Sequence, residues 1–128
     1  MIAKGTFEVK LTPQQEALDA QESLLGRMSI DKIFVGDLEA RSLGQMLTGM
    51  TEMKGSAGYV AIERVRGTLN GLQGSFVLQH NGTMSGAGQS LSITIVPDSG
   101  TDALTGISGS MSIDVGDGKH SYELEYEI

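Results

Sequence analysis

Two segments of alternating apolar and polar residues meet at Asn70-Gly71, and this arrangement constrains the fold more than any other feature of the chain. Asn-Gly between alternating segments is the strongest short-range signal for a β-hairpin, because both central positions of its turn require a positive φ. Similar segments follow one another along the chain, separated by short connections rich in glycine. We therefore expect strands at residues 4–11, 25–35, 38–48, 58–69, 72–84, 89–96, 103–115 and 119–127.

One architecture protects the edges of all these strands. Eight consecutive antiparallel strands in an open sheet would expose two long edges, whereas a closed sheet has none. The sequence therefore predicts an all-β protein, a closed eight-stranded antiparallel up-and-down barrel that occupies residues 1–128 as a single domain. A two-sheet sandwich is the alternative. Thr12-Pro13-Gln14-Gln15 is typical of a helix N-terminus, so we expect at most one short helix, near residues 13–21.

Composition narrows the classes of function. The chain has 16 acidic and 9 basic residues, a net charge of −7, and no cluster of basic residues. Nucleic acids and anionic membrane surfaces require clustered lysine and arginine, so we expect neither as a partner. The absence of cysteine excludes disulfides, thiolate nucleophiles and cysteine-ligated metals. No apolar run reaches the length of a signal peptide or a membrane span, and no nucleotide-binding motif is complete, so we expect a cytoplasmic protein without a cofactor.

The Asn70-Gly71 hairpin also predicts which side chains point into the barrel. With a two-residue turn, one face of the hairpin carries small and apolar residues, and the opposite face carries arginines and polar residues. The first face must therefore be the interior, and it includes Tyr59, Glu63, Phe76, Leu78 and His80. Glu63 and His80 are diagonal neighbours on this face, within reach of each other's side chains.

The last strand alternates in the same way. Three glutamates share one face, so we expect the opposite face to point inward, with His120, Tyr122, Leu124 and Tyr126. Because successive turns of an antiparallel meander lie at alternate ends, His80, His120 and Tyr59 are expected to converge on one mouth of the barrel. Glu63 is expected one layer deeper.

The inner faces of the second and third strands are ambiguous. One register points Ile33, Val35, Leu38, Ala40, Ser42, Gly44 and Met46 inward, but the same register takes in Asp31 and Arg27. We therefore do not place a site there. Either choice leaves apolar residues on the outer surface, which predicts a homo-oligomer, a dimer or a trimer. The many small inward residues predict an internal cavity, since an eight-stranded barrel is just wide enough to hold one small ligand.

Several longer stretches resemble a known family. These are GYVAIERVRGTLNGLQGSFVLQHNGTM, VPDSGTDALTGISG, KHSYELEYEI and GDLEARSLGQML, and together they extend the resemblance over about residues 30–128. They resemble a family of small bacterial proteins of unknown function whose fold is the allene oxide cyclase-like β-barrel. The resemblance implies an eight-stranded barrel with an internal cavity. Plant cyclases with this barrel rearrange an unsaturated fatty-acid epoxide and form trimers, but no stretch of this chain matches their active-site motif, and a shared fold does not imply shared chemistry.

These observations support two hypotheses of function. In the first, the protein binds a small, largely apolar molecule whose one polar end contacts Tyr59, Glu63, His80, His120 and Tyr122, while Phe76 and Leu78 pack against the rest. In the alternative, it is a metal-independent isomerase or cyclase in which His80 exchanges a proton and Glu63 orients it. Glu63, His80 and His120 could instead bind a metal, although their spacing matches no metal signature. Glu63 and His80 could also be a buried structural pair without a ligand.

Overall fold

The computed structural model describes residues 1–14 and 24–128. Its strands are β1 (Ile2–Pro13), β2 (Leu25–Gly36), β3 (Leu38–Met50), β4 (Ala57–Leu69), β5 (Leu72–Ser85), β6 (Gly88–Ile95), β7 (Ser108–Gly116) and β8 (Lys119–Glu127). Each strand pairs antiparallel with the next, and β8 pairs with β1, which confirms the predicted closed eight-stranded barrel. Pro13 ends β1, and most of the predicted helix at 13–21 lies outside the described residues.

The hairpin of β4 and β5 has the predicted turn and register. Asn70 and Gly71 have φ values of 46° and 86°, and Leu69 pairs with Leu72 across the turn. Farther along the same ladder, Glu63 pairs with Leu78. The face predicted to point inward is therefore the buried face, and both of these side chains are fully buried.

The inner face of β2 differs from the register considered above. Phe34 pairs with Ala40 and Lys32 pairs with Ser42, whereas a two-residue turn at Gly36-Asp37 would have paired Val35 with Leu38. Because side chains alternate along a strand, this shift of one residue turns every side chain of β2 to the other face. Of the two faces left open by the sequence, the one with Ile33 and Val35 is therefore the outer face, and they are 52% and 53% exposed. The β3 residues Leu38 and Ser42 do point inward.

One end of the barrel is closed by the connection between β6 and β7. The seventh strand was expected from residue 103, but Asp102–Leu104 forms a 3-10 turn and β7 begins at Ser108. Thr101 Oγ1 accepts a hydrogen bond from the backbone N–H of Ser75 at 3.0 Å, and this bond holds the connection against β5. Leu104 and Ile107 are buried beneath it. The opposite end carries the connections from β3 to β4 and from β5 to β6.

The core fills the part of the barrel next to the closed end. Its aromatic members are Phe7, Phe34, Phe76, Tyr122 and Tyr126, and aliphatic side chains from β3 to β8 occupy the space between them. The described part of the chain contains no helix long and apolar enough to cross a membrane.

Candidate functional site

Glu63 lies at the centre of a cluster of polar side chains inside the barrel. Its side chain is fully buried, Ser42 Oγ donates to its Oε1 at 2.6 Å, and Lys32 Nζ donates to its Oε2 at 2.9 Å. His80 Nε2 lies 2.5 Å from the same Oε2. Burial acts to raise the pKa of Glu63, but the hydrogen bonds from His80 and Ser42 and the charge of Lys32 outweigh it and lower the pKa from 4.5 to about 2. Glu63 is therefore a buried carboxylate.

Lys32 neutralises this carboxylate from the neighbouring side of the barrel. The residue is only 5% exposed, and its ammonium group lies 5.1 Å from the centre of the Phe7 ring and 5.7 Å from that of Phe34. Such cation–π contacts compensate part of the cost of removing a charge from water. Sequence reasoning missed Lys32. The signal was its position between Ile30 and Phe34, which share its face in an alternating strand.

His80 connects the buried carboxylate to Tyr59. His80 is 4% exposed, and its Nδ1 lies 3.2 Å from the Tyr59 hydroxyl oxygen. Because the Glu63 carboxylate can only accept hydrogen bonds, His80 Nε2 must carry a hydrogen. Burial and the negative charge of Glu63 raise the pKa of Tyr59, so its phenol keeps its proton. The structure thus brings Glu63 and His80 together and extends the pair to Tyr59.

Tyr59 also lines a pocket at the open end of the barrel. The pocket has a volume of about 320 Å³ and lies where the inner faces of β3, β4, β5 and β6 continue beyond the core. Its lining is largely apolar and includes Met46, Met50, Met84 and Leu91. Tyr59 pairs across the ladder with Gly82, where an added Cβ would lie only 2.5 Å from the ring atom Cε1. The glycine therefore leaves the space that the Tyr59 ring occupies.

The other predicted site residues lie away from this pocket. His120 is partly buried and stacks on Phe7, with ring centres 5.1 Å apart. The Tyr122 hydroxyl accepts a hydrogen bond from the Leu38 N–H at 2.9 Å, and Phe76 and Leu78 belong to the core. None of these four predicted residues lines the pocket. Their role in ligand binding, and the internal cavity they were expected to line, stay predictions.

The expected meeting of the two histidines does not give a metal site. His80 is held by Glu63 and Tyr59, whereas His120 contacts Phe7. Among the residues that the structure describes, no group of three histidine, aspartate or glutamate side chains is arranged to hold a metal ion.

Comparison with known proteins gives a family but no activity. No curated protein matches the chain. A crystal structure of a protein of unknown function from the DUF3224 family of Shewanella oneidensis MR-1 is 50% identical, with a TM-score of 0.94. That match covers 100% of this chain and 96% of the other. The likeness to the allene oxide cyclase barrel stays a prediction, because neither the name of this neighbour nor that of the matching family mentions that fold. The sequence profile described as "Protein of unknown function (DUF3224)" matches residues 3–126, and the chain therefore belongs to this family.

Proposed function

We propose that the protein binds a small, largely apolar molecule with one polar end in the pocket at the open end of the barrel. One observation carries this proposal: Tyr59 belongs both to the wall of the pocket and to the hydrogen-bonded chain that runs to His80 and Glu63. A ligand in the pocket therefore meets a largely apolar wall and, in Tyr59, a polar group that is supported from inside the protein. This combination is typical of small-molecule sites.

The size and lining of the pocket support the same proposal. Its volume of about 320 Å³ is at the lower end of the range of about 300–1,000 Å³ for ligand pockets, which favours a compact molecule. Met46, Met50 and Met84 contribute flexible, polarizable side chains that can adapt to an irregular apolar surface.

A thermal-shift screen with a blocked pocket tests the proposal. The panel contains small aromatic and branched aliphatic alcohols, ketones and carboxylic acids, and native mass spectrometry of freshly purified protein checks for a retained molecule. Ala57 lines the pocket, so the large side chain of Ala57→Trp should fill it. Val60 lies on the same strand but is 49% exposed on the outer surface, so Val60→Trp is the matched control. We expect at least one compound to raise the Tm of the wild type and Val60→Trp but not of Ala57→Trp. An equal response of all three proteins, or no response in any, contradicts the proposal.

A second candidate function is a metal-independent isomerase or cyclase. The observation that favours it is the position of His80, whose Nε2 is bound to a carboxylate and whose Nδ1 faces the Tyr59 hydroxyl beside the pocket. This geometry lets His80 exchange a proton through Tyr59 while Glu63 orients the ring. His80→Gln separates the two functions. Ligand affinity should stay within about tenfold if His80 only supports binding, whereas turnover should fall about a hundredfold or more if it transfers protons.

A further inference from the structure

The hydrogen bonds that lead from Glu63 to the pocket run in one direction. Lys32 Nζ and Ser42 Oγ donate to the two carboxylate oxygens of Glu63 at 2.9 Å and 2.6 Å. An ionised carboxylate has no hydrogen to donate, so the hydrogen between Glu63 and His80 must belong to His80 Nε2. Each hydrogen bond that the described residues make to this carboxylate is thus one that it accepts.

The charges of this cluster determine whether Nδ1 of His80 carries a hydrogen. Lys32 already balances the charge of Glu63, so a protonated imidazole would leave the buried cluster with a net positive charge, which is costly in an apolar core. His80 is therefore neutral, with its hydrogen on Nε2 and a lone pair on Nδ1. Among the residues that the structure describes, the Tyr59 hydroxyl lies within hydrogen-bond distance of Nδ1, at 3.2 Å. Tyr59 must then donate its one hydroxyl hydrogen to His80.

The consequence lies on the pocket side of Tyr59. Because its hydrogen is directed at His80, the hydroxyl oxygen has only lone pairs left for a ligand in the pocket. We propose that this pocket selects molecules whose polar end is a hydrogen-bond donor, such as a phenol or an alcohol, over molecules whose polar end only accepts. This inference rests on the proposed function. An acceptor-only end would set two groups of lone pairs against each other at the inner wall. The other polar side chains of the lining are Thr48, which is half-buried opposite Tyr59, and Thr83, Gln89 and Ser90, which are exposed and can be satisfied by water.

A pair of compounds of matched shape tests this selectivity. We would titrate the protein at about pH 8, above the usual pKa of histidine, with 4-propylphenol and with its methyl ether, 4-propylanisole, and follow binding by NMR. The phenol can donate a hydrogen bond and the ether cannot. For each protein we compare the Kd of the ether with the Kd of the phenol. We expect this ratio to be larger by about tenfold or more for the wild type than for Tyr59→Phe, which lacks the hydroxyl acceptor. An unchanged ratio between the two proteins overturns the inference, while binding of both compounds still supports the proposed function.

The protonation of His80 supplies a second readout that needs no ligand. In nitrogen-detected NMR of the histidine side chains, we expect Nε2 of His80 to carry the hydrogen and Nδ1 to carry none. A hydrogen on Nδ1 at the same pH overturns the inference whether or not either compound binds. If neither compound binds and His80 has the expected tautomer, the result counts against the proposed pocket function and leaves the direction of the hydrogen bonds intact.

Discussion

Replacing Lys32 by methionine should strongly destabilise the protein, because it leaves the Glu63 carboxylate buried without its cation. The two charged groups are 2.9 Å apart, and their side chains are 6% and 0% exposed. At this distance and an effective dielectric constant of about 20, their attraction is about 6 kcal/mol. The cost of removing both charges from water offsets part of that attraction, and breaking such a pair typically costs about 3–5 kcal/mol.

A double-mutant cycle isolates the contribution of the pair. Lys32→Met, Glu63→Gln and the double variant are unfolded in urea at neutral pH, and the free energies of unfolding are compared. We expect each single variant to lose about 3–5 kcal/mol, and the double variant to lose less than the sum by about 3 kcal/mol, since neither charge is then left alone.

The chain contains a matched control for this cycle. Arg41 Nη2 and Asp31 Oδ2 are also 2.9 Å apart, but their side chains are 63% and 40% exposed. Because water screens exposed pairs, the same cycle on Arg41 and Asp31 should give a far smaller coupling. Additive effects of Lys32→Met and Glu63→Gln, or equal couplings for the buried and exposed pairs, would refute the reasoning.

Three further predictions concern the charge of Glu63, the packing beside it and the outer surface of β4. The lowered pKa of Glu63 stabilises the folded protein by about 3 kcal/mol above pH 4.5, the ordinary pKa of the group, and this contribution is lost as the pH falls toward 2. The free energy of unfolding in urea should therefore fall more with acid for the wild type than for Glu63→Gln. Equal losses in the two proteins would contradict this. An added Cβ at Gly44 would lie 2.7 Å from the Cβ of Glu63, so Gly44→Ala should cost about 2 kcal/mol or more in thermal unfolding. Gly86→Ala, with nothing within 4 Å, should cost little, and equal losses would argue against the packing explanation. Val60 and Ile62 are each 49% exposed on the outer surface of β4, so we expect light scattering to detect a dimer or trimer that Ile62→Lys weakens, whereas a 13.5 kDa species at every concentration would contradict the expectation.

The closed barrel and the pairing of β4 with β5 were predictable because local chemistry determines them. Asn70-Gly71 selects a turn of known length, and the alternation on either side then determines which side chains meet. This is why Glu63 and His80 could be placed on one inner face before the structure was known. The glutamate face of β8 determined its inner face, with Tyr122, in the same way.

The polar partner of Glu63 was not predictable by the same reasoning. Phe34 pairs with Ala40, so the connection at Gly36-Asp37 encloses one residue more than a two-residue hairpin would, and this difference reverses the faces of β2. Alternation alone did not resolve it, since both faces of that strand contain apolar and charged residues. Lys32 was therefore missed. The exact position of the pocket at the open end of the barrel was not predicted, because it depends on how far the inner faces of four strands extend beyond the core, which is a property of the assembled barrel.

The most direct test of the account is a titration of methyl-labelled methionines with 4-propylphenol. Met46, Met50 and Met84 line the proposed binding pocket, whereas Met1 is 58% exposed at the N-terminus and Met111 lies in the core. We predict saturable shifts of the three pocket methyl signals and little change at Met1 and Met111. Unchanged pocket signals, or equal shifts of all five, would contradict the claim that this pocket binds small apolar molecules.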